Sequence, residues 1–151
     1  MLEIYTDGSS TGKVGDGGWS FVVLNDNDLL FESYGGAKET TNNRMELSAV
    51  IESLRYTYKH YPKNVFFTVY CDSQYVVKGL TEWFSKWEQK INDGKEIKNQ
   101  DLWIDCWALL NEFSNIQIQW VRGHSGLQYN DRCDKLAKLG KLQMKDINND
   151  L

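Results

Sequence analysis

The sequence predicts an α/β fold, a five-stranded mixed sheet flanked by helices on both faces. Three observations predict it. Leu2 to Asp7 alternates apolar and polar side chains, and two more strand-like runs, Trp19 to Leu24 and Leu29 to Tyr34, flank a turn, which is hairpin patterning. A long apolar stripe at helical spacing follows. Then Val65 to Cys71 is an apolar run interrupted only by Thr68, as expected for a strand buried in the middle of a sheet.

In chain order, Leu2, Ile4 and Thr6 alternate with Glu3, Tyr5 and Asp7 as a first strand. After the glycine-rich stretch Gly8 to Gly18, Trp19 to Leu24 reads as a second. Asn25-Asp26-Asn27-Asp28 is a turn, and Leu29 to Tyr34 returns antiparallel as a third. Leu47, Val50, Ile51, Leu54, Tyr58 and Tyr61 form one helical stripe. Thr40 to Asn43 supply N-cap candidates, and Asn43-x-x-Glu46 resembles a capping box. Pro62 and Asn64 end that helix ahead of the apolar strand. Asp72-Ser73 can cap a helix through Leu80, and Thr81 can start another through Trp83 and Trp87. Asn92 to Gln100 reads as a polar loop. Leu102 to Phe113 reads as a helix with Leu102, Trp103, Cys106, Leu109 and Leu110 inward. Ile116, Ile118 and Trp120 alternate as a fifth strand, and Cys133, Leu136, Ala137 and Gly140 mark the buried face of a last helix.

A chain of 151 residues with 41% hydrophobic and 25% charged residues predicts one soluble domain with one core. No apolar run approaches the roughly 20 residues of a membrane span. The N-terminus lacks a basic and an apolar signal region, so the expected compartment is cytoplasmic. Cys71, Cys106 and Cys133 are odd in number and far apart, which argues for reduced, buried thiols over a disulfide or zinc framework. The net charge of -4 argues against simple coating of nucleic acid, since phosphate contacts need Lys and Arg. It leaves open an enzyme that reaches phosphates through metal ions.

Three acidic residues sit where open sheets place their sites. Asp7 ends the first strand, Asp72 ends the apolar strand, and Glu46 lies in the first turn of the long helix, beside its stripe. If the first and fourth strands are parallel neighbours, Asp7 and Asp72 lie side by side, and a helix packed across them adds Glu46. Such carboxylates repel, burial raises their pKa values, and a divalent cation relieves the conflict. All-oxygen ligation selects Mg²⁺ or Mn²⁺ over zinc. Taken singly, each residue is better explained by an Asx turn or a helix cap, which is what such residues usually do. Asp131 and Asp134 share one side of the last helix, and spacing does not choose between them.

The local strings go further. Tyr5-Thr6-Asp7-Gly8-Ser9, Thr41-Asn42-Asn43-Arg44-Met45-Glu46-Leu47 and Thr68-Val69-Tyr70-Cys71-Asp72-Ser73-Gln74-Tyr75-Val76 each resemble a motif of the type 1 ribonuclease H family. So do Trp120-Val121-Arg122-Gly123-His124-Ser125-Gly126 and Asn130-Asp131-Arg132-Cys133-Asp134-Lys135-Leu136-Ala137. They stand in the family's order from Leu2 to about Lys141.

The resemblance implies a ribonuclease H-like fold and endonucleolytic cleavage of the RNA strand of an RNA/DNA hybrid, leaving 5′-phosphate and 3′-hydroxyl ends. By matching position, Asp7, Glu46, Asp72 and Asp134 are the implied catalytic carboxylates and metal ligands, for two Mg²⁺ ions, with Mn²⁺ an alternative. His124 matches the family's residue for proton transfer or product release. Asn42, Asn43 and Gln74 match residues that read the hybrid's minor groove, and Thr41 matches a position near a DNA-strand phosphate. Trp83 and Trp87 resemble the aromatic part of the family's substrate-handling protrusion; Trp83 and Trp103, at the start of the following helix, match family positions, with core packing the competing reading for Trp103. The expected organisation is a catalytic domain over 1–142 and a tail over 143–151 that frays, without the accessory hybrid-binding domain of many eukaryotic members, and the expected state is a monomer.

Two departures from the family pattern stand out. The protrusion from Thr81 to Gln100 balances Lys86, Lys90, Lys95 and Lys98 against Glu82, Glu88, Asp93 and Glu96, so its net formal charge is zero. The stretch Gly8 to Gly18 lacks the usual proline-rich pattern, has Lys13 where asparagine is common, and is expected to be a mobile loop. The alternatives weighed are a non-catalytic hybrid-binding module, an integrase-like or resolvase-like enzyme, and a small-molecule phosphohydrolase. The presence of all four carboxylates argues against the first.

Overall fold

Among the described residues, five strands form one sheet in the order β3-β2-β1-β4-β5. They are β1 (Leu2–Ser10), β2 (Gly15–Asn25), β3 (Asp28–Thr40), β4 (Phe67–Cys71) and β5 (Ile116–Trp120). The helices are α1 (Asn42–His60), α2 (Gln74–Thr81), α3 (Phe84–Asn92), α4 (Gln100–Leu110) and α5 (Gln128–Asn149). The computed structural model describes residues 1–123 and 127–149, with side chains through Lys145. β1, β2 and β3 are antiparallel neighbours, whereas β4 joins β1 in parallel and β5 joins β4 in parallel. The sheet is therefore mixed, as the patterning predicts, and the element order is the expected one.

Strand alternation sends side chains to two separate cores. Leu2, Ile4, Phe21, Val23, Phe67 and Val69 meet Leu47, Val50, Ile51 and Leu54 of α1 on one face. Val22 and Leu24 meet Cys133 and Leu136 of α5 on the other. The first core extends through Trp103, Cys106 and Trp107 of α4. All three cysteines are free and buried. No helix among the described residues is long and apolar enough to cross a membrane.

Several local expectations change. Gly8 to Gly18 is not a loop. β1 and β2 stay paired from Leu2↔Asn25 to Ser10↔Gly17, which leaves only residues 11–14 as the turn. Thr11 N donates to Asp16 O across it, and Gly12 takes a positive φ of 64°. β3 runs to Thr40 rather than Tyr34, and β4 starts at Phe67, where its pairing with β1 and β5 begins, with Phe66 exposed just before it. The capping box of Asn43 and Glu46 does not form. Thr41 is the N-cap, and its hydroxyl accepts from Arg44 N at 3.2 Å. Thr81 closes α2 instead of opening α3, because its hydroxyl donates back to Val77 O. α5 runs through Asn149. Lys38 Nζ donates to Met144 O, which ties that end of the helix to β3.

Candidate active site

The parallel register of β1 and β4 places the first two carboxylates. Its last pair is Thr6↔Cys71, so Asp7 and Asp72 are the next residues on adjacent strands. β1 continues past this point on β2 alone, which leaves Asp7 at the open end of the parallel pair. Asp7 is only 5% exposed, and its Oδ1 accepts from Gly8 N at 2.9 Å.

Glu46 arrives because Gly8 has no side chain. A Cβ on Gly8 would run into the backbone of Met45 and Glu46, so only glycine lets α1 cross β1 this closely. The released capping-box position then serves a different purpose, since Glu46 projects to the sheet end rather than back to its own helix terminus. The second close crossing is at Gly18, where a Cβ would collide with Ala137 and Lys141 of α5. Cys133 Sγ donates to Tyr5 O, and Ser20 Oγ donates to Cys133 O, which fixes α5 along β1 and β2. Asp134 is thereby carried to the same end of the sheet. Its side chain is 23% exposed and pairs with Lys138 Nζ at 2.9 Å. Asp131 instead lines a separate cleft with Tyr129, Arg132 and Lys135.

The electrostatics follow from this crowding. Burial is the largest influence on Asp7, followed by the charge of Asp72, and with Asp134 they push its pKa up to about 7 despite the bond from Gly8. Burial holds Glu46 well above the carboxylate range, and the charges of Asp7 and Asp72 add to it. Among the described residues no hydrogen-bond donor reaches the buried Glu46 Oε2. Glu46, Cys71 and Asp72 each bring a possible ligand atom within 4.8 Å of the others. Burial also raises the Cys71 thiol well above its ordinary range, so it stays protonated and a poor ligand. What remains is a set of carboxylate oxygens with too little positive charge among them. That donor chemistry fits hard divalent cations such as Mg²⁺ or Mn²⁺.

The other predicted residues divide into groups. Thr41, Asn42 and Asn43 open α1 beside the hairpin turn, where Gly12, Lys13 and Val14 complete a cleft of about 610 Å³ with Lys98. Asn42 is exposed, and its Oδ1 accepts from Ser10 N at 2.7 Å and Ser10 Oγ at 3.2 Å. Gln74 is exposed at the first residue of α2, two positions after Asp72. Trp83 is half-buried against Trp87 at 5.4 Å, with Lys78 Nζ 5.8 Å from its ring. Trp103 is fully buried and donates to Tyr75 OH at 2.9 Å, so core packing is the correct reading for it. Its neighbours Trp87 and Trp107 anchor α3 to α4. His124 lies outside the described residues.

Sequence reasoning missed the two glycine crossings, Cys71 beside Glu46, and Trp120, whose indole bonds the Asp72 carbonyl. The only available signal for Gly8 was its position directly after Asp7, where a turn explains a glycine equally well.

Comparison with known proteins gives a consistent result. The profile of the RNase H family matches residues 1–141. The chain is 42% identical over 149 residues to the Ribonuclease H of Dechloromonas aromatica, covering 95% of each chain. It is 43% identical over 142 residues to the Ribonuclease H of Hahella chejuensis, covering 92% of each. Among solved structures, LC11-RNase H1 in complex with RNA/DNA hybrid aligns with a TM-score of 0.75 at 23% identity, over 95% of this chain and 99% of that one.

Proposed function

This chain belongs to the ribonuclease H family, and from that premise we propose that it hydrolyses the RNA strand of RNA/DNA hybrids as an endoribonuclease. The observation that carries the reading is the convergence of Asp7, Glu46, Asp72 and Asp134 at one end of the sheet. Residues 1–142 are the catalytic domain of this reading.

The four carboxylates would hold two divalent cations, with Mg²⁺ the expected ion. Bound there, the ions supply activation of water and neutralisation of charge on the scissile phosphate and leaving 3′ oxygen. The chain's own contribution is placement. The β1–β4 register, the α1 crossing at Gly8 and the α5 crossing at Gly18 bring the carboxylates together before substrate arrives. Attack by water leaves a 5′-phosphate and a 3′-hydroxyl, and no nucleophilic side chain is required. His124 is assigned proton transfer or product release, work suited to an imidazole.

The hybrid's minor groove is wide, shallow and lined by 2′-hydroxyls. Asn42, Asn43 and Gln74 are assigned to it. Ser10 occupies the Oδ1 acceptor of Asn42, and none of the hydrogen bonds of the described residues uses its Nδ2 donors. Those donors suit groove acceptors. Thr41 is assigned a DNA-strand phosphate, and Trp83 contact with the hybrid on the protrusion.

The test is cleavage of end-labelled RNA/DNA hybrid, with RNA/RNA and DNA/DNA controls, in Mg²⁺ and in EDTA, for the protein and Asp7→Asn. Metal-dependent cutting of the hybrid's RNA strand alone, lost in the variant, is the expected result. Hybrid that is bound but never cut would replace hydrolysis with a binding role.

A further inference from the structure

Asp72 sits between elements. The parallel ladder of β4 and β5 ends at Cys71↔Trp120, and α2 begins at Gln74 with Ser73 as its cap. Two consecutive backbone carbonyls in this stretch are bonded from the end of β5. Val121 N donates to Cys71 O at 3.0 Å, and Trp120 Nε1 donates to Asp72 O at 3.0 Å. The backbone then passes alongside the carboxylate, since a Cβ on Gly123 would lie 2.9 Å from Asp72 Oδ2.

Packing alone does not account for a tryptophan here. Trp120 ends an edge strand, is 41% exposed, and stacks on no other ring among the described residues. A smaller apolar residue would fill the same partial contact while exposing less apolar area. What the indole adds is a rigid N–H donor at the end of a long side chain. That donor is spent on the carbonyl of a proposed metal ligand.

We propose that Trp120 is a positioning residue for Asp72, whose fixed carbonyl keeps the carboxylate beside Asp7 and Glu46 before any cation binds. The inference rests on the metal-ligand reading of Asp72 given above, and Trp120 itself touches neither metal nor substrate in it. Ligands held in place by a supporting shell lose less freedom when the ion arrives, so the bond acts on cation affinity. Trp120 also lines a cleft of about 270 Å³ with Gln74, Val77, Lys78, Thr81 and Glu82. Direct contact with hybrid is therefore the competing role, and it would act on KM.

Trp120→Phe keeps a ring and removes the donor. Mn²⁺ binding is measured by electron paramagnetic resonance without substrate, and cleavage is then titrated with Mg²⁺ at saturating hybrid. The variant is expected to bind Mn²⁺ roughly three- to ten-fold more weakly, the range for one lost hydrogen bond. The Mg²⁺ midpoint should move by a similar factor, with KM for hybrid unchanged at saturating Mg²⁺. Unaltered Mn²⁺ affinity overturns the proposal, and a rise in KM alone overturns it in favour of substrate contact. If the variant does not fold, the Trp120 indole proton of the unmodified protein decides. Slow exchange with solvent from this exposed ring supports the bond, and fast exchange overturns it. An unmodified protein that binds Mn²⁺ yet leaves hybrid uncut refutes the ribonuclease reading, while the Mn²⁺ comparison still tests Trp120.

Discussion

Asp7→Asn should make the metal-free protein more stable at neutral pH, and the gain should grow as pH rises. Asp7 is 5% exposed and has a pKa of about 7, against an ordinary 3.8, chiefly because of burial and then the charge of Asp72. Between those two values the folded protein holds a proton that the unfolded chain has released. Stability therefore falls as pH rises through this window, and the contribution is lost once pH passes about 7. Three pKa units correspond to about 4 kcal/mol at most, and sharing of protons with Glu46 and Asp72 reduces what one substitution recovers. Asparagine removes the charge and keeps an Oδ1 that can accept from Gly8 N. A gain of about 2–4 kcal/mol at pH 8 is expected, which raises Tm by roughly 4–16 °C for a domain of this size.

The assay is thermal unfolding in EDTA from pH 5 to pH 8 for both proteins, repeated in Mg²⁺. The difference in Tm should widen with pH in EDTA and narrow in Mg²⁺, because the cation stabilises only the protein that binds it. A variant that melts at or below the unmodified protein at pH 8 in EDTA would refute the reasoning. So would a difference that stays constant across the pH range.

Gly8→Ala should cost about 1–3 kcal/mol through overpacking against Met45 and Glu46, and should lower kcat more than it raises KM; equal kcat in a folded variant would remove the close crossing from the account. Trp103→Ala should lose about 3–5 kcal/mol of stability, read by denaturant melts, because its indole is fully buried. Hybrid binding should show a shallow log–log dependence on salt, since the positive and negative charges from Thr81 to Gln100 cancel; a steep slope would place the phosphate contacts elsewhere, with Lys13 and Lys98 the first to substitute.

The strands, the long helix and their order were legible because period-two and period-3.6 patterns report burial directly. Boundaries were less so. Thr81 has the sequence look of a helix start, but its hydroxyl bonds backward to Val77 O, an option open to any threonine late in a helix. The stretch from Gly8 to Gly18 looked like a loop because glycine has no strand preference of its own. There the β1–β2 ladder determines the backbone, and the absent side chains make room for Met45, Glu46 and α5.

The site shows the same division more sharply. Asp7 and Asp72 are readable as a pair because a parallel register makes strand ends into neighbours, and one pairing, Thr6↔Cys71, brings both to the same end of the sheet. Glu46 and Asp134 lie on helices, and periodicity says which face is buried but not where along a strand the helix crosses. That information sits in Gly8 and Gly18, positions defined by what they lack. Spacing could not separate Asp131 from Asp134 for this reason, and motif resemblance selected the residue that lies near Asp7. The same glycines make the crowding possible. A helix held farther from β1 would leave Glu46 better hydrated and Asp7 with fewer charged neighbours, and the carboxylates would then titrate nearer their ordinary values. The close crossings therefore set both the geometry that can hold cations and the charge repulsion that makes their binding favourable.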